Sequence, residues 1–309
     1  MDILSDILQS MKLRGTVYFR ASFHAPWGME IPAGQFANFH IVTDGSCWLR
    51  NNLDSSLYEL RRGDIAIFPH GACHTLACSP DAETVPATTL FEQTQRSAAD
   101  GIIFGGDGQR TTSLICGHFE YDKKLTHPLF DTLDDLILVT AGSSPQQDFI
   151  STAAKLAAQV SNAAAPGVNA IVDRLAEALF IQAMAAYVEQ REDGASFLAA
   201  LSDRQISAAL TLLHEDIART WTLSNLAEAA AMSRSHFAER FRTLVGEPPM
   251  VYLARWRMIR ARELLAETRR PIVDISCAVG YRSEFAFAKA FKKIVGETPA
   301  SVRKTLISS

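Results

Sequence analysis

The sequence predicts an α+β protein of two domains, in which an N-terminal β-barrel with attached helices precedes an all-α domain containing a doubled helix-turn-helix. Three observations support this prediction. Short apolar segments separated by turn residues occupy residues 15 to about 120. Apolar residues recur at helical spacing from residue 148 onward. The C-terminal third contains one short unit twice.

The β-region is predicted from segments such as Phe39–Val42, Cys47–Leu49, Ile65–Phe68 and Thr112–Cys116, which alternate with turns rich in Gly, Asn and Asp. Strands of this length and spacing are typical of a sandwich or a small barrel. After residue 142 the pattern changes, and 148–163 and 167–189 are predicted helices. The charged stretch 191–195 is a candidate linker, so we place the domains at 1–142, 143–195 and 196–309.

Charge is divided unevenly along the 309 residues. Residues 1–200 carry 13 basic and 23 acidic residues, whereas residues 201–309 carry 17 basic and 11 acidic residues. Such asymmetry suggests that the C-terminal part meets a polyanion, although a chance difference between two surfaces would look the same.

Several protein classes are disfavoured by the sequence. The first 13 residues lack the long apolar core of a secretory signal, and no run of about 18 apolar residues would span a membrane. Five cysteines, an odd number spread over the chain, do not form a disulfide framework. We therefore expect a cytoplasmic protein that does not enter membranes.

The repeated unit covers Leu226–Pro249 and Ile275–Pro299. Phe237 and Phe241 correspond to Phe287 and Phe291 at a constant offset of 50 residues. Each copy reads as a short helix, a tight turn and a basic helix, which is the organisation of a helix-turn-helix that enters the major groove of DNA. The turn requires small residues, and Ala231 and Gly280 fit that need.

The side chains opposite the predicted core face are candidates for DNA contact. Arg pairs with guanine and Glu accepts from cytosine, whereas Lys and Ser more often hold phosphate. For any single residue, a solvated surface charge is the alternative. The candidates are Arg234, Ser235, His236, Glu239, Arg240 and Arg242 in the first copy, and Arg282, Ser283, Glu284, Ala286, Lys289, Lys292 and Lys293 in the second.

The segment Tyr252–Glu267 between the copies carries Arg255, Arg257, Arg260 and Arg262 beside an apolar stripe. A helix of about 15 residues is roughly 22 Å long. It would hold two DNA-reading helices so that they enter successive major grooves, about 34 Å apart.

The region Gln205–Lys304 resembles the AraC/XylS family of bacterial transcription regulators. The resemblance rests on five spaced motifs, and Ala231 departs from them because the family commonly has Gly there. It implies binding to promoter DNA, a helical segment used for homodimer formation, and contact with RNA polymerase by an activator. The motifs are W-T-L-x-x-L-A (Trp221–Ala227), M-S-R-S-H-F-x-x-x-F (Met232–Phe241), G-E-x-P (Gly246–Pro249), P-I-x-D-I-x-x-x-V-G-Y (Pro271–Tyr281) and F-x-K-A-F-K-K-x-V-G-x-T-P (Phe287–Pro299).

The segment Gly63–His74 matches the cupin signature G-x5-P-x-G-x2-H, which implies a cupin-like sensor domain with His74 facing into the barrel. The opening residues, the I-C-G at 115–117 and the H-P-L at 127–129 resemble a branch of cupin-containing regulators that includes oxidant-responsive members. An enzymatic cupin would also supply an H-x-H pair and a Glu upstream of this segment, where the chain offers only His40 and no obvious Glu.

A site for the effector or for a metal could still form from His40, His74, Cys116 and His118, with Zn²⁺ or copper as the suited ions. The alternative is that the histidines are hydrogen-bonded interior residues and that Cys116 fills space. Cys116 is also the first candidate for oxidant sensing, ahead of the Cys73–Cys78 pair.

Two functions are therefore compared. The first is a sequence-specific DNA-binding transcription regulator without enzymatic activity, controlled by a small molecule, a metal or an oxidant sensed in the cupin domain. The second is a metal-dependent cupin enzyme with a helical tail. The doubled helix-turn-helix and the missing H-x-H pair favour the first.

Overall fold

The computed structural model describes residues 3–10, 14–92, 102–106, 108, 111–120, 127–140, 149, 152, 153, 156, 167–190 and 197–307. The chain divides into two compact units. One unit contains residues 13–121 and 133–190, and we call it the sheet unit. The other contains residues 1–12, 122–132 and 191–309, and we call it the helical unit. No described helix has the length and apolar character needed to cross a bilayer.

The sheet unit contains two sheets. The six-stranded sheet has the order β11-β6-β3-β10-β1-β9, and the five-stranded sheet has the order β5-β4-β7-β2-β8. The strands are β1 Arg14–His24, β2 Gly28–Ile31, β3 Ala37–Asp44, β4 Ser46–Asn51, β5 Leu57–Arg61, β6 Ile65–Phe68, β7 His74–Ala77, β8 Val85–Pro86, β9 Ile102–Gly105, β10 Thr111–Glu120 and β11 Ile137–Val139. A short helix, α2, spans Ala87–Glu92.

The predicted β-structure is confirmed, but the closed barrel is not, because the described strands lie in two open sheets. Most neighbouring strands pair antiparallel, for example β1 with β10 and β10 with β3. The central strands of the six-stranded sheet are buried on both faces, because four consecutive residues are buried in β3 (residues 39–42) and in β10 (residues 114–117). Phe23, Leu49, Phe68, Leu76 and Leu114 belong to the apolar core that this burial creates.

Helix α4, Val168–Gln190, packs on the six-stranded sheet. The ring of Phe180 lies 4.7 Å from the ring of Phe119 on β10. Asp173 accepts a hydrogen bond from the backbone N–H of Val17 at 2.9 Å, beside a bulge in β1. The predicted helix over 167–189 is therefore confirmed, whereas most of the helix predicted over 148–163 lies outside the described residues.

The helical unit confirms the predicted all-α C-terminal domain, because the described residues 197–307 form helices joined by turns and contain no strand. Its helices are α1 Ile3–Ser10, α3 Pro128–Asp131, α5 Phe197–Ser202, α6 Arg204–Glu215, α7 Leu223–Ala229, α8 Arg234–Val245, α9 Pro249–Glu267, α10 Ile272–Ala278, α11 Glu284–Val295 and α12 Pro299–Ile307. Both α1 and α3 come from sequence that we had assigned to the N-terminal domain, yet they pack with the C-terminal helices. Contacts far apart in the chain create this grouping, and local sequence patterns do not predict them.

Two helix pairs, α7–α8 and α10–α11, correspond to the two sequence copies. Phe237 and Phe241 in the first pair, and Phe287 and Phe291 in the second, are buried as predicted. The two turns share a backbone property that the sequence interpretation missed. Ala231 is exposed with φ +52° and Gly280 has φ +82°, so both turn residues are left-handed. The family preference for Gly therefore reflects backbone conformation as well as size.

Candidate nucleic-acid interface and sensor cavity

The first helix pair presents its predicted DNA-contact residues on the surface. Helix α8 begins after Ser233, whose hydroxyl oxygen accepts a hydrogen bond from the backbone N–H of His236 at 3.4 Å. This N-cap fixes the start of the helix. All six candidates in this pair are exposed, namely Arg234, Ser235, His236, Glu239, Arg240 and Arg242.

The second pair repeats this arrangement. Ser283 takes the place of Ser233, and its hydroxyl oxygen accepts from the backbone N–H of Ala286 at 3.3 Å. Ser283 was predicted as a DNA contact, and the structure gives it the additional role of N-cap for α11. Arg282, Ser283, Glu284, Ala286, Lys289, Lys292 and Lys293 are all exposed.

Arg240 differs from the other exposed basic residues of α8 because it is held by Asp203. Its Nε donates to Oδ2 of Asp203 at 2.9 Å, and its Nη2 contacts the same oxygen. Asp203 is also the N-cap of α6 and accepts from the backbone N–H groups of Gln205 and Ile206. These partners hold the pKa of Asp203 below its ordinary value, against the opposing effect of burial. The pair engages Nε and Nη2 of Arg240, whose side chain remains 45% exposed.

Two arginines of α9, Arg255 and Arg257, form ion pairs or hydrogen bonds with other residues of the helical unit. Arg257 donates from Nε to the carbonyl of Ile217 at 2.9 Å and from Nη2 to the carbonyl of Arg219 at 2.8 Å. Arg255 pairs with Glu247 at 3.0 Å. Burial lowers the pKa of Arg257 and raises that of Glu247. The connecting helix predicted as a basic segment therefore uses these two cations internally.

Sequence reasoning missed Phe285 on the second pair. It is the second residue of α11, and its side chain is 80% exposed. Apart from Ala286, the candidates were residues whose side chains donate or accept hydrogen bonds, so an aromatic ring was not considered. Its repeat partner at an offset of 50 residues is Ser235, which was selected.

The sheet unit brings together three of the four candidate effector residues. His40 Nδ1 lies 3.0 Å from Sγ of Cys116, and His40 Nε2 lies 2.7 Å from Nε2 of His74. His74 Nδ1 lies 2.7 Å from the carbonyl oxygen of Ala72 and must donate to it. His74 Nε2 then accepts from His40, and His40 Nδ1 accepts from the Cys116 thiol. One set of neutral tautomers satisfies the whole chain.

The surroundings of these groups favour their neutral forms. Burial lowers the pKa of His40 well below its ordinary value and lowers the pKa of His74 to about 4. Burial raises the pKa of the Cys116 thiol well above its ordinary value. A thiol reacts with oxidants mainly as the thiolate, so this position suits a space-filling cysteine better than an oxidant sensor.

The same geometry does not fit Zn²⁺ or copper. His40 points its two ring nitrogens at different partners, so it offers one nitrogen toward His74 and the other toward Cys116. A shared ion would have to lie about 2.0 to 2.1 Å from each histidine nitrogen and about 2.3 Å from the sulfur. Within the described residues, no group of three or more His, Cys, Asp or Glu side chains is arranged to hold a metal.

His118, the fourth candidate, is not part of this chain of hydrogen bonds. Its ring stacks on Phe36 with 4.6 Å between centroids, and its Nε2 lies 3.2 Å from Oε1 of Glu120. The structure therefore separates His118 from the buried His40, His74 and Cys116.

A cavity of about 210 Å³ opens beside His40 and Cys116. Its walls are mostly apolar, and among its lining side chains only those of Asn38, His40, Thr88 and Cys116 carry N, O or S–H groups. The apolar lining includes Met29, Ile31, Pro32, Ala33, Phe36 and Ala87. The cavity therefore offers a small apolar volume with a few neutral polar atoms at its edge.

Comparisons with known proteins identify two regions of the chain. Residues 2–189 match a cupin family, and residues 226–305 match a helix-turn-helix domain family. An AraC-like transcription regulator of Streptomyces antibioticus is 32% identical over 98% of this chain and 99% of its own length. The chain belongs to the AraC-like transcription regulators.

Two further relatives also match nearly the full length. A regulator of Streptomyces lividans is 31% identical over 98% of each chain. The RCS-specific transcriptional activator RclR of Escherichia coli K12 is 25% identical, again over 98% of each chain. The family membership confirms the predicted cupin and AraC-type parts and favours a regulator over a cupin enzyme.

Proposed function

We propose that this AraC-like protein is a sequence-specific DNA-binding transcription regulator that uses both helix pairs as helix-turn-helix units. The observation that carries the proposal is the repetition of one arrangement. In each pair, a serine-capped second helix buries two phenylalanines and exposes a polar face. The second helix of a helix-turn-helix enters the major groove, and its N-terminal residues contact base edges.

The two exposed faces suit different tasks. The first pair offers Arg234, His236 and Glu239, which are able to form directed hydrogen bonds with base edges. The second offers Lys289, Lys292 and Lys293, whose ammonium groups suit phosphate. Helix α9 has 19 residues and a length of about 28 Å. This length is compatible with two helices that enter neighbouring turns of the major groove on one side of the duplex.

Selection of bound duplexes from a random DNA pool, using the full chain, tests this proposal. We expect enrichment of two short elements separated by about one helical turn. The affinity for the selected site should fall steeply with salt, because basic side chains displace counterions from phosphate. Failure to enrich any sequence at moderate salt would contradict the proposal.

We further propose that the cupin part senses a small, neutral and mainly apolar molecule in the cavity beside His40. An apolar cavity of about 150 Å³ is large enough for benzene, so the 210 Å³ observed here suits a single ring or a short alkyl group. The neutral tautomers of His40 and His74 disfavour an anion. The raised pKa of the Cys116 thiol disfavours an oxidant signal, and the ligand geometry disfavours a metal.

Toluene is a suitable probe for the cavity, with ribitol as a polyol of comparable molecular size. Toluene should raise the thermal midpoint of the full-length protein by binding the folded state, and ribitol should not. Ala33→Leu fills the cavity from its exposed rim and should abolish the toluene shift, whereas Ala82→Leu, outside the cavity, should retain it. A response of DNA affinity to Zn²⁺, copper or hypochlorite but not to toluene would contradict this assignment.

We also expect a homodimer that contacts RNA polymerase at its promoter. Helix α4 packs one side on the six-stranded sheet, and Ile171 and Ile181 are exposed, at 50% and 39%. Covering these side chains with a second copy would remove apolar surface from water. Sedimentation analysis should find a dimer for the natural chain and a monomer for the Ile171→Glu, Ile181→Glu double variant. A dimer that survives both changes would place the interface elsewhere.

A further inference from the structure

Phe285 is an apolar side chain in a charged setting. Of the large hydrophobic side chains exposed in the described part of the chain, it is the most exposed at 80%, and Leu53 follows at 60%. Because the phenyl ring is exposed to solvent, it adds little buried apolar area to the core of its own helix pair. Two residues that precede it, Arg282 and Glu284, are charged and exposed.

The position of Phe285 on α11 places it on the outer face. Phe287 and Phe291 are fully buried and define the core face of this helix. Successive residues of an α-helix are rotated by about 100°, so Phe285, two residues before Phe287, lies roughly 160° around the helix from it, on the outer side. Residues four apart share a face, and Lys289 is exposed one turn further along.

A comparison of the two repeat copies shows that the aromatic ring at position 285 is not needed for the fold of the unit. At the corresponding position of α8 the chain has Ser235, which is also exposed. Both helices have an N-cap serine and the same two buried phenylalanines, so the fold of the unit does not require a ring at position 285. The difference between Ser235 and Phe285 therefore lies in what the two helices present to a partner.

We propose that Phe285 is a specificity-determining residue that contacts the 5-methyl group of a thymine in the major groove. Each base pair presents a distinct pattern there, and the thymine methyl is the apolar element of that pattern, which Phe is suited to contact. Residues at the N-terminal end of a reading helix approach base edges most closely. The second helix pair thus combines phosphate contacts from its lysines with one apolar contact to a base.

This inference rests on the proposed DNA binding, and uracil substitution tests it separately. Once a selected duplex is known, each thymine in the half bound by α11 is replaced by deoxyuridine, which lacks only the methyl group. At one position the natural chain should lose about fourfold in affinity, corresponding to about 0.8 kcal/mol for one buried methyl-sized group. Phe285→Ala should bind the thymine and uracil duplexes equally.

Two further variants show whether the effect depends on the ring. Phe285→Leu keeps an apolar side chain and should retain part of the preference for thymine, whereas Phe285→Ser introduces the residue of the first copy and should lose it. Val251→Ala removes another exposed apolar side chain of the helical unit and should leave the preference unchanged.

Three results would overturn the inference while leaving the proposed function intact. The first is that no uracil substitution changes the affinity of the natural chain for its selected site. The second is that Phe285→Ala keeps the full preference for thymine. The third is that Phe285→Ala binds both duplexes as the natural chain does but fails to activate transcription, which would identify Phe285 as a protein contact. Failure to select any sequence would instead contradict the proposed function.

Discussion

The hydroxyl oxygen of Tyr252 lies 2.6 Å from Nε2 of His214. The same oxygen lies 2.9 Å from Nε2 of His127, and Nδ1 of His214 lies 2.6 Å from Oδ2 of Asp6. Four segments of the helical unit therefore meet in one buried network, because these residues belong to α1, to the start of α3, to α6 and to α9. Tyr252, His214 and His127 are all buried.

The groups at the two ends of the network, the backbone N–H of Leu129 and the carboxylate of Asp6, determine which atom donates in each hydrogen bond. The backbone N–H of Leu129 donates to Nδ1 of His127 at 3.1 Å, so Nε2 of neutral His127 carries the proton and donates to Tyr252. Tyr252 then donates to His214, which donates to the Asp6 carboxylate. Burial raises the pKa of Tyr252 and lowers that of His127, so both stay neutral. The chain of donors and acceptors is complete without an additional proton.

Removing the central hydroxyl should destabilise the helical unit. Tyr252→Phe leaves the Nε2 atoms of His127 and His214 buried without their partner, and an unsatisfied buried polar group costs about 1 to 3 kcal/mol. We expect a loss of about 2 kcal/mol, measured as a shift of the urea transition followed by tryptophan fluorescence, since Trp256 packs on His214.

Tyr58→Phe serves as the matched control because Tyr58 lies only partly buried at the edge of the sheet core. It should change the free energy of unfolding by a few tenths of a kcal/mol at most, as most surface substitutions do. An equal effect of the two substitutions would mean that the Tyr252 hydroxyl contributes nothing specific.

Stability should also fall at acidic pH because of buried histidines. The pKa of His74 is about 4 in the folded protein, below the value of about 6.5 in an unfolded chain. Below pH 6.5 the unfolded state binds a proton that the folded state does not, so stability is present above that pH and is lost as pH falls toward 4. The loss attributable to His74 should total about 3 kcal/mol.

Urea unfolding between pH 7.5 and 4.5 measures this dependence. His74→Gln keeps a side chain able to accept from His40 but has no titratable group, and it should flatten the slope between pH 6.5 and 4.5. His236→Gln removes an exposed histidine and should leave the slope as it is. An unchanged slope in His74→Gln would show that His74 is protonated in the folded state.

We expect that replacing the turn residue Ala231 by glycine stabilises the protein. With φ +52° it occupies the left-handed region, which costs a residue with a Cβ about 1 to 2 kcal/mol. Ala231→Gly relieves this strain but gains unfolded-state entropy, a cost of about 0.5 to 1 kcal/mol. We expect a net stabilisation of up to about 1 kcal/mol in thermal or urea unfolding.

The reverse change at the other turn should be harmful. A Cβ on Gly280 would lie 2.7 Å from the carbonyl oxygen of Ala218 and 2.6 Å from Nη2 of Arg257, in addition to the left-handed φ. Gly280→Ala should therefore destabilise the unit by more than 1 kcal/mol. If Ala231→Gly instead lowered the free energy of unfolding, the backbone strain that we assign to the turn at Ala231 would be wrong.

The elements that the sequence predicts well are those with local signals. The repeat placed both helix pairs and their buried phenylalanines, because helical periodicity and an offset of 50 residues need no knowledge of tertiary contacts. The inward orientation of His74 also follows from the turn at Pro69 and Gly71. The exposed faces of α8 and α11 agree with the selected DNA-contact residues.

What the sequence missed depends on contacts between distant segments. Nothing near Asp6 or His127 indicates that Asp6 meets His214, 208 residues further along the chain, or that His127 meets Tyr252, 125 residues further along. The pairing of Arg240 with Asp203 joins residues 37 positions apart, in two different segments. Phe285 was missed for a chemical reason, since every DNA-contact candidate except Ala286 was chosen for its polar side chain.

The unequal chemistry of the two helix pairs predicts two different kinds of DNA-binding defect. Arg234 is exposed in the first turn of α8, where a bidentate contact with guanine would discriminate among bases. Arg234→Ala should cost about 1 to 3 kcal/mol on the selected site and should relax the preference at one base pair. Lys293, exposed near the end of α11, should instead contact phosphate.

Lys293→Ala should therefore weaken binding to every duplex by a similar factor and lower the slope of log affinity against log salt by about one. Fluorescence anisotropy on the selected duplex and on single-base variants, at several salt concentrations, separates the two outcomes. The free energy of unfolding of both variants must match that of the natural chain, since both side chains are exposed. If Arg234→Ala lost affinity uniformly while Lys293→Ala changed base preference, the roles of the two helix pairs would have to be exchanged.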